Sequence, residues 1–118
     1  MPMKFEDLKA WQKSRELTNA VYQMCRERPL ALDFSLRDQI QRAAVSVMNN
    51  LAEGFDRMHK TEKLNFYNIA KGSSGEVRSI CYVIQDNELA SRIKVESVQL
   101  LACEASALIH GLMKSTRG

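Results

Sequence analysis

Between Ser35 and Arg57 the chain reads SLRDQIQRAAVSVMNNLAEGFDR, and apolar side chains return every three or four positions at Leu36, Ile40, Ala43, Ala44, Val47 and Leu51. That spacing is the period of an α-helix with one apolar face. A second line runs beside it: Arg42, Ser46, Asn49 and Glu53 step by four, three and four. These polar residues stack on one face, and a helix at the centre of a fold must satisfy them. The pattern predicts a central helix over about 36–57 whose polar line meets another helix or another subunit. Ser35, followed three residues later by Asp38, reads as its N-terminal cap.

The same period predicts three more helices, over about 6–28, 62–88 and 94–114. In the first, Leu8, Trp11, Ser14, Leu17, Val21 and Met24 form the stripe with Cys25 beside it, and Lys9, Lys13, Glu16 and Asn19 face away. Pro29 stops this helix, because proline disfavours helical geometry at the residue before it. Leu30, Leu32 and Phe34 are expected to pack over the bundle end. In the third helix Thr61 is the expected cap, and Phe66, Ile69, Ala70, Ser73, Val77, Ile80 and Ile84 keep helical phase. The run GSSG at 72–75 reads locally as a turn. The stripe holds its phase across it, which favours an unbroken helix. Each interior glycine then costs about 1 kcal/mol against alanine, and close approach of another backbone is the expected compensation.

The fourth stripe is Val95, Val98, Leu101, Ala102, Ala105, Leu108, Ile109 and Leu112. Gly54 reads as either the stop of the second helix or an interior glycine, with 57–60 as the turn. Four amphipathic helices on short links predict an all-α fold, an antiparallel up-down-up-down four-helix bundle in one domain spanning 1–118. Val45, Met48 and Leu100 fall off the main stripes and suggest a second apolar face that self-association would cover.

Composition removes several function classes. With 5 Gly and 2 Pro the chain has too few turn residues for an all-β fold. No apolar run approaches the roughly 18 residues of a membrane span. The start, MPMKFEDLKAW, is acidic and lacks the apolar segment of a secretory signal, so a cytoplasmic location is expected. Cys25, Cys81 and Cys103 occur singly, as small core or near-core residues would, with neither disulfide nor zinc spacing. His59 and His110 have no partner at ligand or triad spacing, and Glu53 with Asp56 or His59 misses the Glu-x-x-His spacing of a di-iron bundle. No phosphate-binding glycine loop or nucleophile elbow is present. The expectation is a non-enzymatic protein without metal or cofactor.

Glu76, just past the glycine–serine run, is expected to pair with Arg42 across the helix interface. Net charge is a mild +3 with no basic tail, so nucleic-acid binding would depend on cations gathered by the fold. The candidates are Arg37, Arg57, Lys60 and Lys63 around the second helix and its turn, and Lys9, Lys13 and Arg15 on the first. Tyr22, Phe55, Tyr67 and Tyr82 read as core or interface residues, leaving phosphate contacts as the mode of binding.

Three motifs in order, F-E-D-L-x-x-W-Q at 5–12, Q-I-Q-R-A-A-V-S-V-x-x-N-L-A-E-G at 39–54 and A-x-G-S-x-x-E at 70–76, make the chain resemble a family of four-helix-bundle proteins. Its members are encoded in intervening sequences of the bacterial large-subunit (23S) ribosomal RNA gene, and it includes the accessory variability determinant of diversity-generating retroelements. The resemblance implies an antiparallel bundle assembled as a cyclic homopentamer. In the retroelement branch it implies a basic pentamer that binds nucleic acid and associates with a reverse transcriptase; for this chain the expected target is structured RNA or an RNA–DNA hybrid. The alternative it leaves is a protein-interaction module that docks such a partner with no nucleic-acid role of its own. The family's motif positions fall here on Trp11, Gln39, Arg42, Ala43, Ser46, Asn50, Glu53, Gly54, Gly72, Ser73 and Glu76, as structural or interface residues, and no catalytic residue is implied. Gly75 stands where a helix former is usual.

Overall fold

The computed structural model describes residues 3–118. Its four helices are α1 (Lys9–Met24), α2 (Phe34–Asp56), α3 (Lys60–Asp86) and α4 (Arg92–Arg117). Each packs against the next, and α4 returns to pack against α1, as in an up-down four-helix bundle 45 Å long. None of these helices is long and apolar enough to cross a membrane.

Helix existence follows the apolar period, whereas the ends are set by other forces. Before α1, Phe5–Asp7 form one 3-10 turn, so the first α-helix starts at Lys9 and not near residue 6. It ends at Met24, four residues before Arg28. The cap of α2 is Asp33, whose carboxylate accepts from Leu36 N–H at 3.2 Å; Ser35 lies inside the helix. Helix α3 starts at Lys60, ahead of the expected Thr61 cap, with His59 at the cap position and no side-chain bond. At its far end Leu89 N–H donates to Ile84 O and Glu88 N–H to Gln85 O, with Glu88 in the left-handed region at φ 52°. The first turn of α4 is anchored by a residue distant in sequence. Glu27 accepts from Ser91 N–H at 2.8 Å and from Ser91 Oγ at 3.3 Å, and Leu30 N–H donates to Leu89 O nearby. Both connections at that end of the bundle are thereby tied together. Only Leu30 of the three apolar residues in the first link is buried; Leu32 and Phe34 stay exposed.

The core runs the length of the bundle, from Leu17, Val21, Met24, Ile40, Ile84 and Val95 to Val47, Leu51, Tyr67 and Ile109. Its buried hydroxyls bond mostly within their own helix. Ser14 donates to Ala10 O, Ser74 to Lys71 O, and Thr18 to Ser14 O, with Ala44 O across on α2 at 3.2 Å. Among the described residues no buried side-chain nitrogen or oxygen lacks a partner.

Helix α3 is continuous through 72–75, as the phase of its stripe predicts. The stripe itself is rotated from the expected one. Ala70, Val77, Ile80 and Ile84 are buried as expected, joined by Tyr67, Ser74 and Cys81, whereas Ile69 is exposed and Phe66 and Ser73 sit at the edge. Gly54 is an interior residue of α2, and its absent side chain is what the packing needs. A Cβ there would lie 2.7 Å from Tyr67 Cε1 and 2.9 Å from Phe66 Cβ. Gly72 and Gly75 show the reverse: among the described residues a Cβ at either meets nothing within 4 Å, so no neighbouring element among them comes close. The expected compensation for those two glycines is absent among the described residues.

Candidate functional site

The first motif builds the N-terminal turn. Asp7 accepts from Lys4 N–H at 2.9 Å, Gln12 Nε2 donates to Glu6 O at 2.9 Å, and the Phe5 ring meets Trp11 edge-on at 5.3 Å. Trp11 is half-buried, and the Arg15 guanidinium lies 5.8 Å from its ring. Trp11 is thus a structural residue, and Arg15 is held against it.

The second and third motifs meet on one exposed face formed by α2 and α3. Their junction is the Ser46 and Ser73 hydroxyls, 2.9 Å apart and sharing a hydrogen bond. Asn50 Nδ2 donates to Ser46 O at 2.8 Å and to Ser46 Oγ at 3.0 Å. Glu53 pairs with Arg57, the residue just past the end of its helix, at 2.8 Å, and Gln39 donates to Ser35 Oγ at 3.4 Å. Arg42 and Glu76 are both exposed, and neither makes an ion pair within 4 Å or a side-chain hydrogen bond among the described residues. The expected Arg42–Glu76 pair is not formed. Each charge is surrounded by water, and an exposed pair would gain too little to hold two long side chains in one geometry. Beside Arg42 the surface dips into an open groove lined by Tyr22, Asp38, Gln41, Val45 and Asn49.

The seven candidate phosphate-binding cations do not form one site. Arg37 is at the opposite end of α2 from Arg57, holding Ala31 O at 3.0 Å beneath the Phe34 ring. Lys13 bridges Glu16 at 3.3 Å and Glu104 at 3.6 Å; the bond to Glu16, above all, raises its pKa. Three of the seven do gather, where the α2–α3 turn meets the end of α4. Lys63 Nζ donates to Phe55 O at 2.6 Å and, at 3.4 Å, to Gly54 O, neutralising the carbonyl end of α2. Arg57 lies 4.8 Å from the Phe66 ring while pairing with Glu53. Lys60 reaches Arg117 O at 3.3 Å, which adds Arg117 and Lys114 of the last α4 turn to the group. Sequence spacing could not reveal those two, because they come from 51 or more positions away and join only through the up-down topology. Exposed Lys9 is at the start of α1, at this same end of the bundle.

Of the four aromatics, Tyr67 is in the core, Phe55 is half-buried under Lys63, and Tyr22 and Tyr82 are exposed. Cys25 and Cys81 are buried, and burial pushes their thiols up to about 11 and about 12; Cys103 is exposed, outside the expected core. No group of three or more His, Cys, Asp or Glu among the described residues is placed to hold a metal ion.

Continuity of all three motifs on one bundle agrees with the sequence comparison. Residues 6–111 match the family described as 23S rRNA-intervening sequence protein. The chain belongs to that family. A solved structure from Bacteroides thetaiotaomicron, described as a protein of unknown function from the S23 ribosomal protein family, superposes with a TM-score of 0.80. It is 21% identical, over 89% of this chain and 98% of that one, a likeness that establishes a shared fold. No curated protein matches the chain in sequence. Within the 23S rRNA-intervening sequence protein family, then, the motif residues of this member divide into a structural N-terminal turn, the buried Ala43 and Gly54 of α2, and an open α2–α3 face.

Proposed function

We propose that this 23S rRNA-intervening sequence protein is a non-enzymatic oligomeric bundle that binds nucleic acid, structured RNA or RNA–DNA hybrid, through phosphate contacts. The observation that carries the reading is the cluster of Lys60, Lys63, Lys114 and Arg117 at one bundle end, with Arg57 and Lys9 at the same end. Carbonyl partners orient Lys60 and Lys63 without cancelling their charge, so the group remains attractive to phosphate. Acidic Glu53 and Asp56 at the end of α2 and Glu62 at the start of α3 flank this turn, which makes the field of one copy weak. A ring would concentrate it: five copies at +3 each carry +15.

Retention of an RNA hairpin and of an RNA–DNA hybrid by the purified protein, titrated against salt, tests the proposal. Affinity should fall log-linearly with salt, by a slope of about 0.7–0.9 per phosphate contacted. The combined change K60E/K114E/R117E should weaken binding at least tenfold while the helical signal persists. Absence of retention even at low salt overturns it. Capture of a defined protein partner such as a reverse transcriptase from nuclease-treated extract, with no RNA retained, supports the docking module in its place.

A further inference from the structure

We infer that the groove between α3 and α4, beside the basic end of the bundle, hydrogen-bonds the 2′-hydroxyls of a ribose strand, with Asn65 and Asn68 setting a preference for RNA over DNA. The inference rests on the phosphate-binding reading above and adds what recognises the sugar between the phosphates. The two helices run antiparallel, so the start of α3 adjoins the end of α4, where Lys60 reaches Arg117 O. Along the groove Thr61, Asn65 and Asn68 step by four and three on α3, opposite Met113 and Arg117, four apart on α4. Cations thus stand at one end of the groove, and uncharged hydrogen-bonding groups run along it.

Three features decide which part of a nucleotide the groove takes. First, the amides are free. Asn50 and Asn87 turn their amides back on their own helices, donating to Ser46 O at 2.8 Å and Val83 O at 2.9 Å. Asn65 and Asn68 are exposed in the groove and make no side-chain hydrogen bond among the described residues. Each offers two N–H donors and a carbonyl acceptor. Second, Glu62 lines the same groove. Its carboxylate repels phosphate, which belongs on Lys60, Lys114 and Arg117 at the end, and accepts from a hydroxyl. An uncharged part of the nucleotide is what such a groove admits. Third, no aromatic ring among the described residues lines it; the least exposed side chains there are Leu64 and Met113. A base would find no stacking platform, whereas a sugar can rest on that narrow apolar strip while its hydroxyl reaches an amide. The 2′-hydroxyl donates and accepts, as an amide does, and it is the group that DNA lacks. A-form helices display it in a wide, shallow minor groove bordered by phosphates, the same order as a polar groove beside a cluster of cations.

One hairpin sequence in three backbones tests the inference, with binding to the full chain measured by fluorescence anisotropy over a range of salt. The three are RNA, DNA and 2′-fluoro RNA, which keeps the A-form helix without the hydroxyl. The wild type should bind RNA about tenfold more tightly than either of the others. RNA and 2′-fluoro RNA should share one salt slope, because their phosphate contacts are the same. N65A/N68A should bring RNA down to the 2′-fluoro level and leave the salt slope unchanged. Both sites are exposed and alanine is the better helix former, so circular dichroism should show the fold intact. Equal binding of RNA and 2′-fluoro RNA by the wild type overturns the groove while leaving the phosphate reading in place. A preference for RNA that survives N65A/N68A overturns it as well. Failure of all three hairpins to bind at low salt overturns both readings.

Discussion

Helix α3 has two seams of the same spacing and opposite character. On the inner one, Tyr67, Ala70, Ser74, Val77, Cys81 and Ile84 are closed off from water, and α2 comes so near that only glycine fits at position 54. On the outer one, Ile69, Gly72, Glu76, Ser79 and Val83 meet solvent, and the glycine has empty space over it. The comparison teaches that a glycine in a helix carries no fixed meaning. At Gly54 it removes a collision, and at Gly72 it leaves a surface flat. The neighbour across the gap decides which.

The largest expected break between the two seams is in alkaline solution. Cys81 and Cys25 are neutral thiols whose pKa burial lifts from 9.0 to about 12 and about 11. Below pH 9 folded and unfolded chains both hold these protons, and the contribution is fully present. As pH rises through 9 the unfolded chain ionises first, so stability falls until the folded thiols titrate at about 11 to 12. Unfolding free energies from urea titrations across that window should drop by an amount on the order of a few kcal/mol, and Cys81→Ala should flatten the fall. Below pH 9 a thiol reagent should modify only exposed Cys103 in the native protein and all three cysteines after unfolding.

Filling the inner notch comes next. Gly54→Ala forces a Cβ against Tyr67 and Phe66, and thermal unfolding should show a loss of about 1–3 kcal/mol even though alanine is the better helix former. At the border between the seams, Ser73→Ala removes the half-buried bond to Ser46 and should cost about 1 kcal/mol. The smallest effect has the opposite sign. Gly75 is exposed with nothing above it, so Gly75→Ala should raise stability by about 0.5–1 kcal/mol. A loss there would show that the outer side is as constrained as the inner.

The apolar period made the four helices and their bundle legible, including the continuity of α3 across GSSG. It failed where a side chain acts at a distance. Ser35 looked like a cap because local spacing favoured it, but Asp33 has the carboxylate at the right turn. The partner of Ser91 is Glu27, 64 positions away, and no window of sequence contains both. Around residues 72–75 small side chains give almost no apolar contrast, so a rotation of one position, from Ser73 to Ser74, could not be read. The face joining the second and third motifs was legible as residues, though not as an arrangement. Arg42 and Glu76 are named by the motifs of the two helices, and only packing reveals that both are exposed and not paired with each other. The basic end was half legible: Arg57, Lys60 and Lys63 are close in sequence, while Lys114 and Arg117 arrive through the topology.

The stitch from Glu27 to Ser91, reinforced by Leu30 on Leu89, has a mechanical consequence. The bundle is two helical hairpins, and without that stitch they could part like the covers of a book. With both hinges laced together at one end, cutting the chain between residues 26 and 33 would also slacken the start of α4. Limited proteolysis there should therefore loosen a helix that the protease never touched.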